Sequence, residues 1–311
     1  MYFDPSFFQG ETREDFYIRP MVKKAWAAQL EVLEKIDIIC KRHNIMYYAE
    51  WGTLLGAIRH QGFVPWDDDM DIGMRRVDFT RFIHYAKQEL PEGYQILTVH
   101  ETAKHRELIA RIVNTLTINT EPAFLEQFHG CPYVVGIDIF ITDNIPKNKN
   151  EEEIQLRLID SVYALGHEWN HLELSEDEKR ECLSEIEELC NIKFTNDKPM
   201  RQQLLVLCDR LCSMYWDAQV DEVALMLKLA DYPHYRLPVS CYESTIDVPF
   251  EHITIPVPVG YEQILRLRYG DYTIRYRGGG SHNYPFYKEQ MELLHNEYKK
   301  RGLNIPEEFL E

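Results

Sequence analysis

Residues 51–74 read WGTLLGAIRHQGFVPWDDDMDIGM, and the fold turns on how the acidic centre of that stretch is held. Asp67, Asp68, Asp69 and Asp71 crowd together between Trp66 and Ile72. Like charges this close repel, and taking them out of water costs more. Either a cation sits there or the run is a solvated loop. An extended chain over 67–72 would put Asp67, Asp69 and Asp71 on one face and Asp68, Met70 and Ile72 on the other. Alternate carboxylates would then stand about 6.5–7 Å apart at the backbone. Hard oxygen ligands of this kind suit Mg²⁺, Mn²⁺ or Ca²⁺. An EF-hand loop begun at Asp67 fails, because its sixth position is Ile72 rather than Gly and its twelfth is Asp78 rather than Glu.

Outward from the acidic run, strands and helices alternate. Val22, Trp26, Leu30, Leu33 and Ile36 recur at helical spacing, and Pro20 suits a helix start, so a helix is expected from Pro20 to about His43. A short strand at Ile45–Tyr48 leads to Gly52-Thr53, which opens a small helix, Leu54–His60. The acidic run enters a strand ending near Met74, and Asp78 is expected to cap a helix reaching about Leu90. Further strands are expected at Tyr94–Thr98, Leu108–Leu116 and Tyr133–Ile141. In the last, YVVGIDIFI, Asp138 is the one charge. A lone acid in an apolar strand is metal-bound, caps a turn or pairs with an arginine, and the metal reading is the one taken here.

After PKNKNEEE the pattern is helical to about Leu229, with three or four helices and no strand signal. From Pro238 to Tyr287 short extended pieces return. The reading is an α+β fold: a mixed-sheet core with a mostly helical insertion and a C-terminal segment that completes the core. Its parts are an N-terminal arm (1–19), a catalytic core (20–145), a helical region (146–237) and the C-terminal segment (238–311).

Composition narrows the function. With 34 Lys and Arg against 51 Asp and Glu, the net charge is −17, which argues against a nucleic-acid binder. No apolar run is long enough to cross a bilayer, and MYFDPSFFQGETREDF has no basic-then-apolar leader pattern. Phe7 and Phe8 could make that arm an aromatic docking element. Seven scattered cysteines without a CxxC pair suit a reduced, cytoplasmic protein. Cys208 and Cys212, four apart, read as buried thiols rather than half a metal site.

Order carries more than any single motif. A Gly-Thr turn at a helix N-terminus offers N–H groups and a hydroxyl to a phosphate. A D-x-D strand follows, and then a strand with a lone Asp. That is the logic of a nucleotidyltransferase site, where carboxylates hold metal against nucleotide phosphates.

These residues also resemble a known family. WGTLLGAIRHQGFVPWDDDMDIGM is similar to the signature of the LicD family of phosphocholine transferases, which includes fukutin-related proteins. GIDIFITDNIP resembles its second block, and FEHITIPVPVGYEQILRLRYGDY its C-terminal block. One departure stands out: the family commonly has Pro after the second block's Phe, where this chain has Ile141 after Phe140.

The resemblance implies a nucleotidyltransferase-like fold and Mg²⁺-dependent transfer (Mn²⁺ being the other candidate). A phospho-alcohol would pass from a CDP-alcohol, CDP-choline favoured, to a hydroxyl of a cell-surface glycan or lipid-linked glycan precursor. By the motif match, Asp69 and Asp71 are paired metal ligands and Asp138 the third carboxylate. The protein would be cytoplasmic, meeting lipid-linked acceptors at the inner face of the membrane. NMP transfer to a small molecule and a catalytically silent binding protein are the alternatives.

Around that centre, Gly52, Thr53, Arg59, Trp66, Asp67, Arg275 and Arg277 are candidates for donor binding. Arg59 and His60 could equally answer the helix dipole. Arg266, Arg268, Arg275 and Arg277 form a late basic group, and RYRGGGSHNY could close over phosphates. Of Tyr47, Tyr48, Trp51 and Trp66, Trp66 is the candidate ring for holding a choline headgroup.

Overall fold

The computed structural model describes residues 1–277 and 284–309. Its elements, in chain order, are β1 (Glu11–Arg13), β2 (Phe16–Ile18), α1 (Pro20–His43), β3 (Tyr48–Ala49), α2 (Trp51–Arg59), β4 (Met70–Arg75) and α3 (Arg76–Glu89). Then come β5 (Gln95–Leu97), β6 (Ala110–Val113), α4 (Pro122–Gln127), β7 (Gly136–Asn144), α5 (Lys149–Glu168), α6 (Glu176–Cys190) and α7 (Met200–Cys212). Last are β8 (Glu222–Ala224), α8 (Met226–Asp231), β9 (Leu237–Pro238), β10 (Thr245–Phe250), β11 (Ile253–Pro258), α9 (Tyr261–Tyr269) and α10 (Lys288–Lys300). The fold is α+β.

The chain forms two compact units, one of residues 1–96, 111–141 and 240–311, the other of 97–110 and 142–239. In the first, α1 is buried over most of its surface from Met21 to Leu33. Pro20 starts it, Arg42 and His43 lie in its last turn, and Asn44 ends it in the left-handed conformation. The central sheet runs β3-β4-β7-β6-β5. β3 and β4 are antiparallel, with Tyr48 opposite Gly73 and Ala49 opposite Ile72. A side chain at Gly73 would collide with the Tyr48 ring, so the β3–β4 pairing admits only glycine there.

The second unit packs α5 against α7 and α8 around Ile145, Ile159, Leu204, Leu207, Leu211 and Leu229. Gly166 lets α5 approach Leu204, where a Cβ would stand 3.1 Å from that side chain. Cys208 and Cys212 lie inside this apolar core as free thiols. The α6 helix carries a Ser175–Glu178 capping box and buries no side chain completely.

Four local expectations are corrected. The acidic run is not strand throughout: β4 begins at Met70, after a turn at Pro65-Trp66. Asp78 does not cap α3; it lies in the first turn, behind Arg75 at the N-cap. The helical stretch holds one strand, β8, whose Val223 and Ala224 pair with Asn144 and Asp143; three residues are too few to show a period. The N-terminal arm is also no free docking element. Phe7 is buried, packing on Phe3, Phe8 and His252.

Candidate active site

The site starts from the junction of β3 and α2. Glu50 donates its N–H to the Asp71 carbonyl at 3.0 Å, and the Asp71 N–H donates to the Thr53 hydroxyl at 2.8 Å. The backbone of Asp71 is thus clamped to the first turn of α2, where N–H groups point outward and favour negative charge. Trp51, the first residue of that helix, has φ 43°, a conformation costly for a bulky side chain. The Arg268 guanidinium covers its ring at 4.4 Å.

Carboxylates gather on Asp71. Burial first, then the charges of Asp69, Asp138, Asp67 and Glu50, push its carboxyl well above the usual range. Asp67 lies against the backbone of Gly52, where any Cβ would collide with its carboxylate. Along β7 the burial alternates: Ile137, Ile139 and Ile141 are buried while Asp138 and Phe140 are half-buried on the opposite face. Phe140 stands edge-on to Trp51 at 5.8 Å, so the face that carries Asp138 is turned toward α2. Asp68 does another job: its carboxylate accepts from the Phe286 N–H at 2.7 Å and its carbonyl from Gln29 at 2.8 Å. The acidic run is anchored through Asp68, leaving its neighbours to turn the other way.

Asp138 has a resident cation. Arg111, on the adjacent β6, grips it with both Nε and Nη2, the latter at 2.6 Å. Glu50 and Arg268, both almost wholly buried, form a second ion pair. Burial outweighs Arg268 and raises the Glu50 carboxyl. Tyr269 borders the same group; burial raises its hydroxyl against the pull of Arg268, helped by Asp67, Asp71 and Glu50.

The other basic candidates sit apart from these contacts. Arg59 donates to the Tyr272 and Ile274 carbonyls at 3.3 Å each. Arg275 pairs with Glu14 and donates to the Arg59 carbonyl at 3.0 Å, while Arg277 lies over the Phe16 ring at 4.7 Å. Glycines 278–280 of the proposed phosphate-closing loop lie outside the described residues. Tyr47 and Tyr48 are core residues; Trp66 is half-buried, edge-on to Phe16 at 6.4 Å.

Sequence reasoning missed Glu50, Arg111 and Tyr269. Two of them carried a readable signal: Glu50 in YYAEWG and Arg111 in LIARIVN are lone charges in apolar runs, the same mark that exposed Asp138.

Among the described residues no three His, Cys, Asp or Glu side chains form a preformed metal cage. The donor set still fits a hard divalent cation by its chemistry. The charges that raise the Asp71 carboxyl most are those of carboxylates, and Mg²⁺ commonly takes one or two protein carboxylates plus substrate phosphates rather than a complete protein cage. No helix of the described residues is long and apolar enough to cross a membrane.

Residues 44–111 match the LicD/FKTN/FKRP nucleotidyltransferase domain. Over 255 residues, 78% of this chain and 88% of the relative, the chain is 29% identical to a protein of Haemophilus influenzae named lipopolysaccharide cholinephosphotransferase LicD. Two uncharacterised proteins match over 66 residues, 21% of this chain in each case. That of Rickettsia prowazekii is 60% identical over 23% of its length, and that of Rickettsia typhi 49% over 21%.

Proposed function

With the chain a member of the LicD family, we propose that it transfers a phospho-alcohol, phosphocholine first, from a CDP-alcohol to a hydroxyl of a cell-surface glycan precursor, releasing CMP. Lipopolysaccharide is the first acceptor class; teichoic acid and capsule precursors share the needed hydroxyl. The carrying observation is the convergence of the Asp67, Asp69 and Asp138 charges on Asp71, which is itself fixed to the first turn of α2.

Asp69, Asp71 and Asp138 would hold Mg²⁺, with Mn²⁺ the substitute. When bound, the ion neutralises the donor diphosphate. The chain's own groups do the rest. The first turn of α2 and Gly52 offer N–H groups to a phosphate, and the absence of a side chain at Gly52 lets Asp67 close on that turn. Asp138 already carries the Arg111 pair, so Asp67 takes the proton of the acceptor hydroxyl as that oxygen attacks phosphorus in line. The phosphorus attacked is the one bearing the alcohol; its bond to the CMP oxygen breaks. Trp66 lines the donor end, while Arg59, Arg275 and Arg277 supply positive charge beyond it.

The test is CMP release from a panel of CDP-alcohols with a glycan-precursor acceptor, with Mg²⁺ and with EDTA. Metal-dependent release from one donor is expected. Release of pyrophosphate from a nucleoside triphosphate instead would assign NMP transfer, and no turnover of either donor a binding role.

A further inference from the structure

Three groups meet on the ring of Phe16, the first residue of β2. The Arg277 guanidinium lies over it at 4.7 Å. Tyr284 stands edge-on at 5.2 Å and 84°, and Trp66 edge-on at 6.4 Å and 73°. None of the three rings is sealed in the core; each is half-buried. Trp66 adjoins Asp67, whose carboxylate rests on Gly52. An aromatic cluster bearing a cation therefore begins one residue from the acidic run.

The chemistry of that cluster is selective. The face of an aromatic ring attracts cations through its quadrupole. A quaternary ammonium has no N–H to donate, so hydrogen-bonding side chains cannot recognise it, and aromatic faces beside negative charge can. A guanidinium is recognised by the same faces, so Arg277 on Phe16 is a cation already seated where an ammonium would go.

We propose that Phe16, Trp66 and Tyr284 form a subsite for a quaternary ammonium, the headgroup of the transferred alcohol, and that Arg277 is its resident stand-in. The proposal rests on the phospho-alcohol reading above and names the feature that sorts one alcohol from another. Choline gains the aromatic contact when it displaces Arg277. Glycerol and ribitol, uncharged, gain nothing from it. Displacement also frees the Arg277 guanidinium for the donor's diphosphate, so headgroup and phosphate recognition are linked through one side chain.

The experiment uses the full chain and tetramethylammonium as probe, titrated by calorimetry into the wild type, Phe16→Leu and Arg277→Gln. Saturable binding is expected in the wild type. Phe16→Leu, which keeps an apolar side chain and removes the π face, should weaken it roughly fivefold or more. Arg277→Gln should tighten it, because the competing cation is gone; a purely structural role for Arg277 predicts no such gain. In turnover, Phe16→Leu should raise KM for CDP-choline by a similar factor and leave KM for CDP-glycerol unchanged.

Absence of tetramethylammonium binding, or equal affinity in all three proteins, overturns the subsite. If Phe16→Leu melts early, Arg277→Gln alone decides. Turnover of CDP-choline that ignores Phe16→Leu overturns the subsite and keeps the transferase reading. Tetramethylammonium binding with these variant effects, in a chain that turns over no CDP-alcohol, upholds the ammonium site and removes the transferase reading.

Discussion

Glu152 and Asp71 sit under opposite rules. Glu152, in the helical unit, is buried and held by Arg236 at 2.6 Å and Lys149 at 2.8 Å. Burial pushes its carboxyl upward, yet the two cations outweigh it and keep it below the ordinary value of 4.5. Asp71, in the sheet unit, is surrounded by other acids, and its carboxyl is driven up. A buried charge that the fold pairs internally serves the fold. A group of like charges that repel one another costs stability, which marks it as a candidate for function rather than for holding the fold.

The comparison breaks most visibly under Asp71→Asn. The variant should lose roughly a thousandfold or more of CMP release, the scale expected when a metal ligand is removed. It should melt no earlier than the wild type in metal-free buffer, because one repulsive charge is gone. A variant with more than about a tenth of wild-type turnover would place Asp71 outside the catalytic group.

Glu152→Gln should do the reverse: stability falls by about 1–3 kcal/mol, since Arg236 loses a buried charged partner, while kcat is unchanged. Thermal melts beside steady-state assays separate the two. The pH dependence follows the same pairing. A carboxyl held below its unfolded value contributes stability that is present above that value and is lost as pH falls through its folded value. Chemical denaturation across pH 5 to 2 should therefore show an acid-side loss that Glu152→Gln diminishes.

Thr53→Val tests the clamp. It removes the acceptor of the Asp71 N–H, should cost about 1–3 kcal/mol, and should raise the donor's KM by displacing Asp71. A melt unchanged from wild type would show that the N–H finds another acceptor. Arg111→Gln has the smallest expected effect. It removes the resident cation from Asp138, so Mg²⁺ affinity in calorimetry should rise by roughly threefold, whereas weaker binding would make Arg111 a support for the metal ligands.

Much of this was legible in the sequence because the signals were local. The 3.6-residue recurrence from Val22 to Ile36 sets α1, and its apolar residues are buried as the pattern requires. Asp138 stood out as the one charge of an apolar strand. What the sequence could not show was the partner: Arg111, 27 residues upstream, lies beside it only once β6 pairs with β7. Phe16 was invisible for the same reason, since its neighbours Trp66, Arg277 and Tyr284 come from distant segments. The β8 strand was too short to show a period. Its position comes from pairing with the end of β7, a tertiary fact.

The most direct test of the central claim is a calorimetric titration of Mg²⁺ into the full chain in the presence of CDP-choline, comparing the wild type with Asp71→Asn. The account predicts a saturable binding event in the wild type that is lost in the variant. Equal binding in both proteins, or none in the wild type, would contradict a cation site built on Asp71.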